Sequence, residues 1–92
     1  MPLEDYYSGD DGFHQFAITC ESEWAKCPHQ PRLLSAVQGD LDIAMACHYH
    51  LGEQVFHWLV SAVPALDGLT PSQCLKSQKH RRRLKECLWR MP

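Results

Sequence analysis

The sequence lacks the features that mark membrane-spanning, secreted and most enzymatic chains. It has no apolar run near the roughly 18 residues of a membrane helix, and its acidic start (MPLED) has no apolar core of a signal peptide. It also lacks Gly-x-Ser-x-Gly, a glycine-rich phosphate loop and His-Glu-x-x-His. These absences predict a cytoplasmic protein with no membrane contact, no catalytic residues and no cofactor.

Closely spaced cysteine pairs are also missing, although five cysteines are present. Structural zinc sites favour Cys-x2–4-Cys, because a tight loop presents two ligands to one metal. Six residues separate Cys20 from Cys27, and His48 and His50 would point to different sides of a helix. Cys27 and His29 have the residue types of a nucleophile and its base, but nothing orients the histidine. We therefore expect reduced core cysteines, no metal site and no catalysis.

Basic residues are scarce in the first two thirds of the chain. Residues 1–67 contain ten acidic and two basic side chains, whereas residues 68–92 contain seven basic and one acidic. This split indicates an oriented partner surface or an internal electrostatic match, and solvated faces that differ by chance explain it equally well. A basic end also makes a small nucleic-acid-binding transcriptional regulator the alternative function. Such a regulator would need its cations on one face of a helix to bind phosphates. Arg81, Arg82 and Arg83 are consecutive and therefore spread over about 200° of a helix.

The hydrophobic pattern predicts an all-α fold, a small compact bundle of about five or six short helices. The spacing of Phe13, Phe16, Ala17, Cys20 and Trp24 predicts a helix over 13–26 with Asp11 as its cap, although residues 16–19 also read as a strand. Residues 1–12 are expected to form a tail or loop. Further helices are predicted at 32–38, 41–51 (capped by Asp40 and closed by Gly52), from 53 until Pro64 stops the helix, 71–76 and 78–90.

The best-defined boundary is the turn before residue 71. Gly68 takes a positive φ at little cost, and Thr70 is a good N-cap. Pro71 fits the first helical position, where no backbone donor is needed. Gln73 completes a capping-box pattern with Thr70. Four local rules therefore predict the same helix start.

The closing helix is expected to bury a single apolar stripe. Leu84, Cys87, Leu88 and Met91 follow the i, i+3, i+4, i+7 spacing of such a stripe. The pattern places the remaining side chains toward other faces: Arg82, Arg83, Lys85, Glu86 and Trp89. Two roles stay open for Trp89, which either packs on its own domain or inserts into a partner.

A spaced motif runs through the same region: Trp58-Leu59, six residues, Leu66-x-Gly68-x-x-Pro71, Leu75, and a closing Leu84-x-x-x-Leu88-x-Arg90-Met91. It resembles the toxin-binding domain of the MbcA/ParS/Xre antitoxins and covers about residues 41–91. The resemblance implies a bacterial toxin–antitoxin system in which this domain binds a NAD-consuming, RES-type toxin and covers its active site. Residues 41–92 would form the toxin-binding domain, and residues 1–40 an acidic segment with one or two helices packed on it.

The resemblance also implies roles for particular residues. Trp58, Leu59, Leu66, Gly68 and Pro71 would be mainly architectural. By position, the exposed side of the terminal helices would bind the partner through Arg81, Arg82, Lys85, Trp89 and Arg90. A homodimer stays open.

The chain departs from the family in two respects. Many such antitoxins carry an N-terminal helix-turn-helix of on the order of 50–60 residues, but only about 40 residues precede the matching part here. This stretch has more acidic than basic side chains, so we do not expect this chain alone to bind DNA. Trp89 stands where the family often has a small residue, which affects the expected geometry of the closing helix.

Overall fold

The computed structural model describes residues 3–7 and 9–91, and within these ranges it is helical with no strand. The all-α prediction is confirmed. The tail predicted for residues 1–12 falls partly on Met1, Pro2 and Ser8, which lie outside the described residues. The described chain forms seven α-helices and three 3-10 helices. In order, the α-helices are α1 (Asp10–Thr19), α2 (Glu21–Trp24), α3 (Gln30–Ala36), α4 (Leu41–Leu51), α5 (Val55–Leu59), α6 (Pro71–Cys74) and α7 (Gln78–Arg90), and the 3-10 helices are Leu3–Tyr6, Gly52–Gln54 and Pro64–Leu66.

Helix α4 is the centre of the bundle. Its residues 43–47 are all buried, and a helix that is apolar all round must be enclosed by its neighbours. Helices α1, α2, α3, α5 and α7 all contact it. Asp40 caps it as predicted, because the carboxylate accepts a hydrogen bond from the Ile43 amide at 3.2 Å. No helix in residues 3–7 or 9–91 is long and apolar enough to cross a membrane.

The helix predicted over 13–26 is divided in two. Helix α1 begins earlier, with Gly9 as its N-cap, so the expected cap Asp11 lies inside the first turn instead. The first helix ends at its C-cap, Cys20, whose amide donates hydrogen bonds to the carbonyls of Ala17 and Ile18. The predicted stripe is nevertheless largely buried across the break, with Phe16 only partly buried, and the strand alternative for residues 16–19 is wrong. The described part of residues 1–12 also contains more helix than expected.

The helix expected from Glu53 to Pro64 ends at Leu59 instead. The Ser61 hydroxyl donates to the His57 carbonyl at 2.7 Å, a local bond that competes with the helix ladder. Val63 then adopts an extended conformation, and its amide donates to the Leu69 carbonyl at 3.1 Å. Residues 60–63 therefore lie outside the helix and lead into the following turn.

That turn follows its prediction closely. Gly68 has φ of 81°, and the capping box is complete: the Thr70 amide donates to Gln73 Oε1 at 2.8 Å, and the Gln73 amide to Thr70 Oγ1 at 3.1 Å. Helix α6 is shorter than the predicted 71–76 and ends at Cys74. Helix α7 has its predicted bounds and is capped by Ser77.

The outward faces predicted for α7 are wrong at two positions. Leu84, Cys87 and Leu88 are buried as expected, but Arg83 and Glu86 are each only 7 % exposed. The physical reason for Arg83 is that residues 3–7, called the N-terminal strap below, lie along this side of α7.

Candidate protein-binding surface

A buried ion pair fastens the N-terminal strap to α7. Arg83 donates two hydrogen bonds to the Glu4 carboxylate, at 2.8 and 2.9 Å, and the two side chains are 8 % and 6 % exposed. The hydrogen bonds from Arg83 lower the pKa of Glu4 to about 2, although burial opposes the shift. Lys79 lies 3.8 Å from the same carboxylate, and Asp67 adds a second contact to Arg83 at 3.1 Å.

Two more acidic residues of the first half bind basic residues of the second. Asp10 accepts hydrogen bonds from the Tyr7 hydroxyl at 2.6 Å and from Lys85 at 3.1 Å, and these two bonds lower its pKa. Burial raises the pKa of Tyr7, so its hydroxyl stays protonated. Asp40 accepts a hydrogen bond from Arg81 at 3.2 Å. The charge split in the sequence therefore corresponds to an internal electrostatic match between the two ends.

Trp89 packs on its own domain within an aromatic cluster. Its ring is stacked on Phe16 at 6.2 Å between centroids, and it meets Tyr7 and Phe13 edge-on at 6.5 and 6.2 Å. Such pairs contribute about 0.5–1.5 kcal/mol beyond the area that they bury. The side chain remains partly exposed, so its outer edge is still accessible to a partner.

The five residues predicted to bind a partner thus differ in their availability. Arg81 donates to the Leu75 carbonyl and to Gln38 in addition to Asp40, and Lys85 is only 14 % exposed. Arg82 is exposed. Arg90 is 52 % exposed, although it pairs with Glu86 and lies 4.9 Å from the centre of the Tyr6 ring. Arg82 and Arg90 are therefore the best-presented cations of the predicted set.

An apolar groove opens beside Arg90, where three parts of the chain meet. We call it the terminal groove; it has a volume of about 330 Å³, and almost all of its surface is apolar. The 3-10 turn of the strap, the turn before α6 and the end of α7 contribute its lining residues, which are Leu3, Val63, Ala65, Cys87, Arg90 and Met91. The chain next to it is also apolar and exposed, with Val60 69 % accessible. A concave apolar surface with an arginine on its rim has the composition of a pocket that receives an apolar side chain of a partner.

Sequence reasoning missed most of this groove. Leu3 was expected in a tail, and Val63 in a helix that the structure ends four residues earlier. The sequence did contain one indication of the groove: Val60, Val63 and Ala65 lie close together in the chain, with Pro64 among them. Because a proline interrupts a helix, these side chains could not all be buried on one helical face. The sequence did not show which carboxylates pair with α7, although the uneven distribution of charge indicated that such pairs exist.

The cysteine and histidine candidates are used in packing. All five cysteines are buried free thiols, and burial raises the pKa of Cys20, Cys47, Cys74 and Cys87. The ring of His48 meets Trp24 edge-on, and His50 stacks on Phe16. His29 reaches Cys27 through its backbone amide, at 3.4 Å. Among the described residues, no group of three or more His, Cys, Asp or Glu is arranged to hold a metal.

Residues of the spaced motif stabilise the turn before α6, which contributes Val63 and Ala65 to the terminal groove. Leu59, Leu66 and Pro71 are buried, Trp58 is partly buried, and Gly68 supplies the positive φ. No protein-family model, curated protein or solved structure matches the chain. The motif and the surface that it supports are therefore what a functional assignment rests on.

Proposed function

We propose that this chain is an antitoxin-like protein–protein interaction domain. It binds a cognate NAD-consuming, RES-type toxin and neutralises it by covering the active site. The terminal groove receives an apolar anchor of the toxin, Arg90 contacts the toxin beside it, and Arg82 contacts the toxin farther along α7.

The observation that carries the proposal is the terminal groove and its position. It is built on the turn between Trp58 and Pro71, the part of the chain that resembles the antitoxin domain. Apolar anchors that fill pockets dominate the energetics of protein interfaces, and arginine is favoured among the residues around them. A stable interface buries about 800 Å² on each partner. The contact therefore has to extend from the groove along the exposed side of α7.

The alternative, a nucleic-acid-binding regulator, has less support from the surface. Phosphate binding requires lysine and arginine side chains that are available to replace counterions. Five of the seven basic residues of the second half contact carboxylates of the chain itself; they are Lys79, Arg81, Arg83, Lys85 and Arg90. A duplex would have to compete with these carboxylates for each cation.

Co-expression with the product of the adjacent gene tests the proposal. We expect the full chain to restore growth against that product and to co-purify with it. Ala65→Glu puts a charge into the apolar groove, and Arg90→Glu reverses a charge on its rim. Each should weaken the complex at least tenfold and impair rescue.

Lys26→Glu is the matched control for Arg90→Glu, because it makes the same charge change at an exposed residue after α2. It should leave binding and rescue intact. Absence of a complex with the wild-type chain would refute the proposed function. Equal effects of Lys26→Glu and Arg90→Glu would instead refute the assignment of the groove as the contact surface.

A further inference from the structure

We infer that the side of α7 beneath the N-terminal strap is a binding site for an acidic, aromatic segment of a partner protein. The strap occupies this site in the free chain and competes with that segment. The inference rests on the proposed function for the identity of the partner, the toxin. The site itself is defined by contacts within this chain.

The surface of α7 offers three adjacent subsites. Arg83 and Lys79 form a carboxylate site, which Glu4 occupies. Trp89 and Arg90 present an aromatic and a cationic surface, which Tyr7 and Tyr6 contact. Leu3 lines the terminal groove together with Val63, Ala65 and Met91, so displacement of the strap leaves room there for an apolar side chain of the incoming segment. A partner segment that matches these subsites carries an aliphatic residue, then a carboxylate, then one or two aromatic rings.

Apart from these contacts, the strap is tied to α1 by the hydrogen bond that the Tyr7 hydroxyl donates to Asp10, at 2.6 Å. Its only regular structure is one 3-10 turn, Leu3–Tyr6, with no fully buried residue, and an isolated turn of this kind has little stability of its own. Gly9, the N-cap of α1, has φ of 114°, a conformation that other residues rarely adopt. The strap is therefore a short segment held by the side-chain contacts of Glu4, Tyr6 and Tyr7, of which the Glu4–Arg83 pair is the most deeply buried.

Arg83 also decides which segments can replace the strap. When a partner of a buried ion pair is removed, the remaining charge is left without compensation, and this is strongly unfavourable. An incoming segment with a carboxylate at the position of Glu4 restores the pair, whereas a neutral segment leaves Arg83 with Asp67 alone, which is 70 % exposed. The site therefore selects Glu or Asp over their amides.

Competition with the strap sets the affinity that is measured. A tethered segment acts at an effective concentration in the millimolar range, so a free peptide binds the wild-type chain weakly. The apparent affinity rises as the fraction of chains with an open site increases. Weakening the strap without changing α7 should therefore improve binding in trans.

A labelled peptide with the sequence of residues 1–9 is the probe, and fluorescence anisotropy with the full chain is the readout. We expect the Glu4→Gln chain to bind it at least tenfold more tightly than wild type does. A peptide with Gln in place of its Glu should bind the Glu4→Gln chain at least tenfold less tightly than the acidic peptide. The Glu4→Gln, Arg83→Met double variant should not distinguish the two peptides.

Tyr6→Ala keeps the experiment decisive if Glu4→Gln does not fold, because Tyr6 is 51 % exposed and its removal leaves the Glu4–Arg83 pair in place. It should also tighten peptide binding relative to wild type. The inference is overturned if neither variant binds the peptide more tightly, or if both peptides bind equally. Concentration-dependent dimers of the wild-type chain that exchange straps would make a second copy the occupant and would likewise overturn it.

The assay contains no toxin, so its failure is separable from failure of the proposed function. Peptide binding without a toxin complex would support the site and refute the antitoxin role. A toxin complex without peptide binding would support the antitoxin role and overturn the proposed site beneath the strap.

Discussion

Replacing Glu4 with Gln should destabilise the whole domain, although Glu4 lies in a segment that the sequence presents as a tail. The substitution keeps the size of the side chain and removes the carboxylate that accepts two bonds from Arg83. Removing one partner of a buried pair typically costs about 3–5 kcal/mol, and we expect about 2–3 kcal/mol here because Asp67 remains beside Arg83. For a domain of this size that corresponds to a decrease in Tm of about 10–20 °C.

The pH dependence gives this prediction a second signature. The pKa of Glu4 falls from an ordinary value of 4.5 to about 2 in the folded chain. A carboxyl whose folded pKa is depressed contributes stability above its unfolded pKa, and this contribution is lost as the pH falls through the folded pKa. The stability difference between wild type and Glu4→Gln should therefore be complete at pH 7 and should shrink between about pH 5 and about pH 2.

Urea denaturation followed by circular dichroism, repeated across this pH range, measures both quantities. Glu53→Gln is the control, because Glu53 is exposed, and it should change the free energy of unfolding by less than about 0.5 kcal/mol. A Glu4→Gln effect no larger than that of this control would contradict a stabilising Glu4–Arg83 pair. The same Glu4→Gln difference at pH 3 as at pH 7 would contradict it as well.

Further substitutions test the turn before α6 and the aromatic cluster, each by urea denaturation. Gly68→Ala should cost about 1–2 kcal/mol for its positive φ alone, because an added Cβ meets nothing within 4 Å; no measurable loss would contradict the turn geometry. Thr70→Ala removes the side-chain half of the capping box and should cost about 1 kcal/mol, whereas Ser72→Ala, outside the box, should cost less than half of that. Trp89→Ala should cost about 2–3 kcal/mol, below the range for a fully buried tryptophan, and should reduce the near-ultraviolet circular dichroism; a neutral effect would mean that Trp89 does not pack on the domain.

Local rules predicted the parts of the fold that local interactions determine. The starts of α4, α6 and α7 are fixed by side chains of Asp40, Thr70 and Ser77 that accept bonds from amides three residues further on, and α4 ends at Gly52, which has a positive φ. Such bonds are visible in a sequence because both partners lie within a few positions of each other. The buried stripe of α7 is equally local, since it depends only on helical periodicity.

The candidate surface depended on contacts that no local rule contains. Glu4 and Arg83 are 79 positions apart, and Arg81 and Asp40 are 41 apart. The charge split indicated that the two ends match, but it did not identify which residue meets which. The groove was missed for a related reason: Val63 left its expected helix to bond Leu69, and this loop then met residues from both ends of the chain.

Leu3 and Met91 lie in the walls of the same groove, and this has a practical consequence for handling the protein. A tag joined to either end of this sequence is attached within two residues of a side chain that lines the candidate surface. An affinity tag or fluorescent fusion there risks shielding the groove and producing a false negative in an interaction screen. Attaching a label at Lys26, which is 75 % exposed and does not line the groove, avoids this problem. A cleavable tag, removed before binding is measured, serves the same purpose.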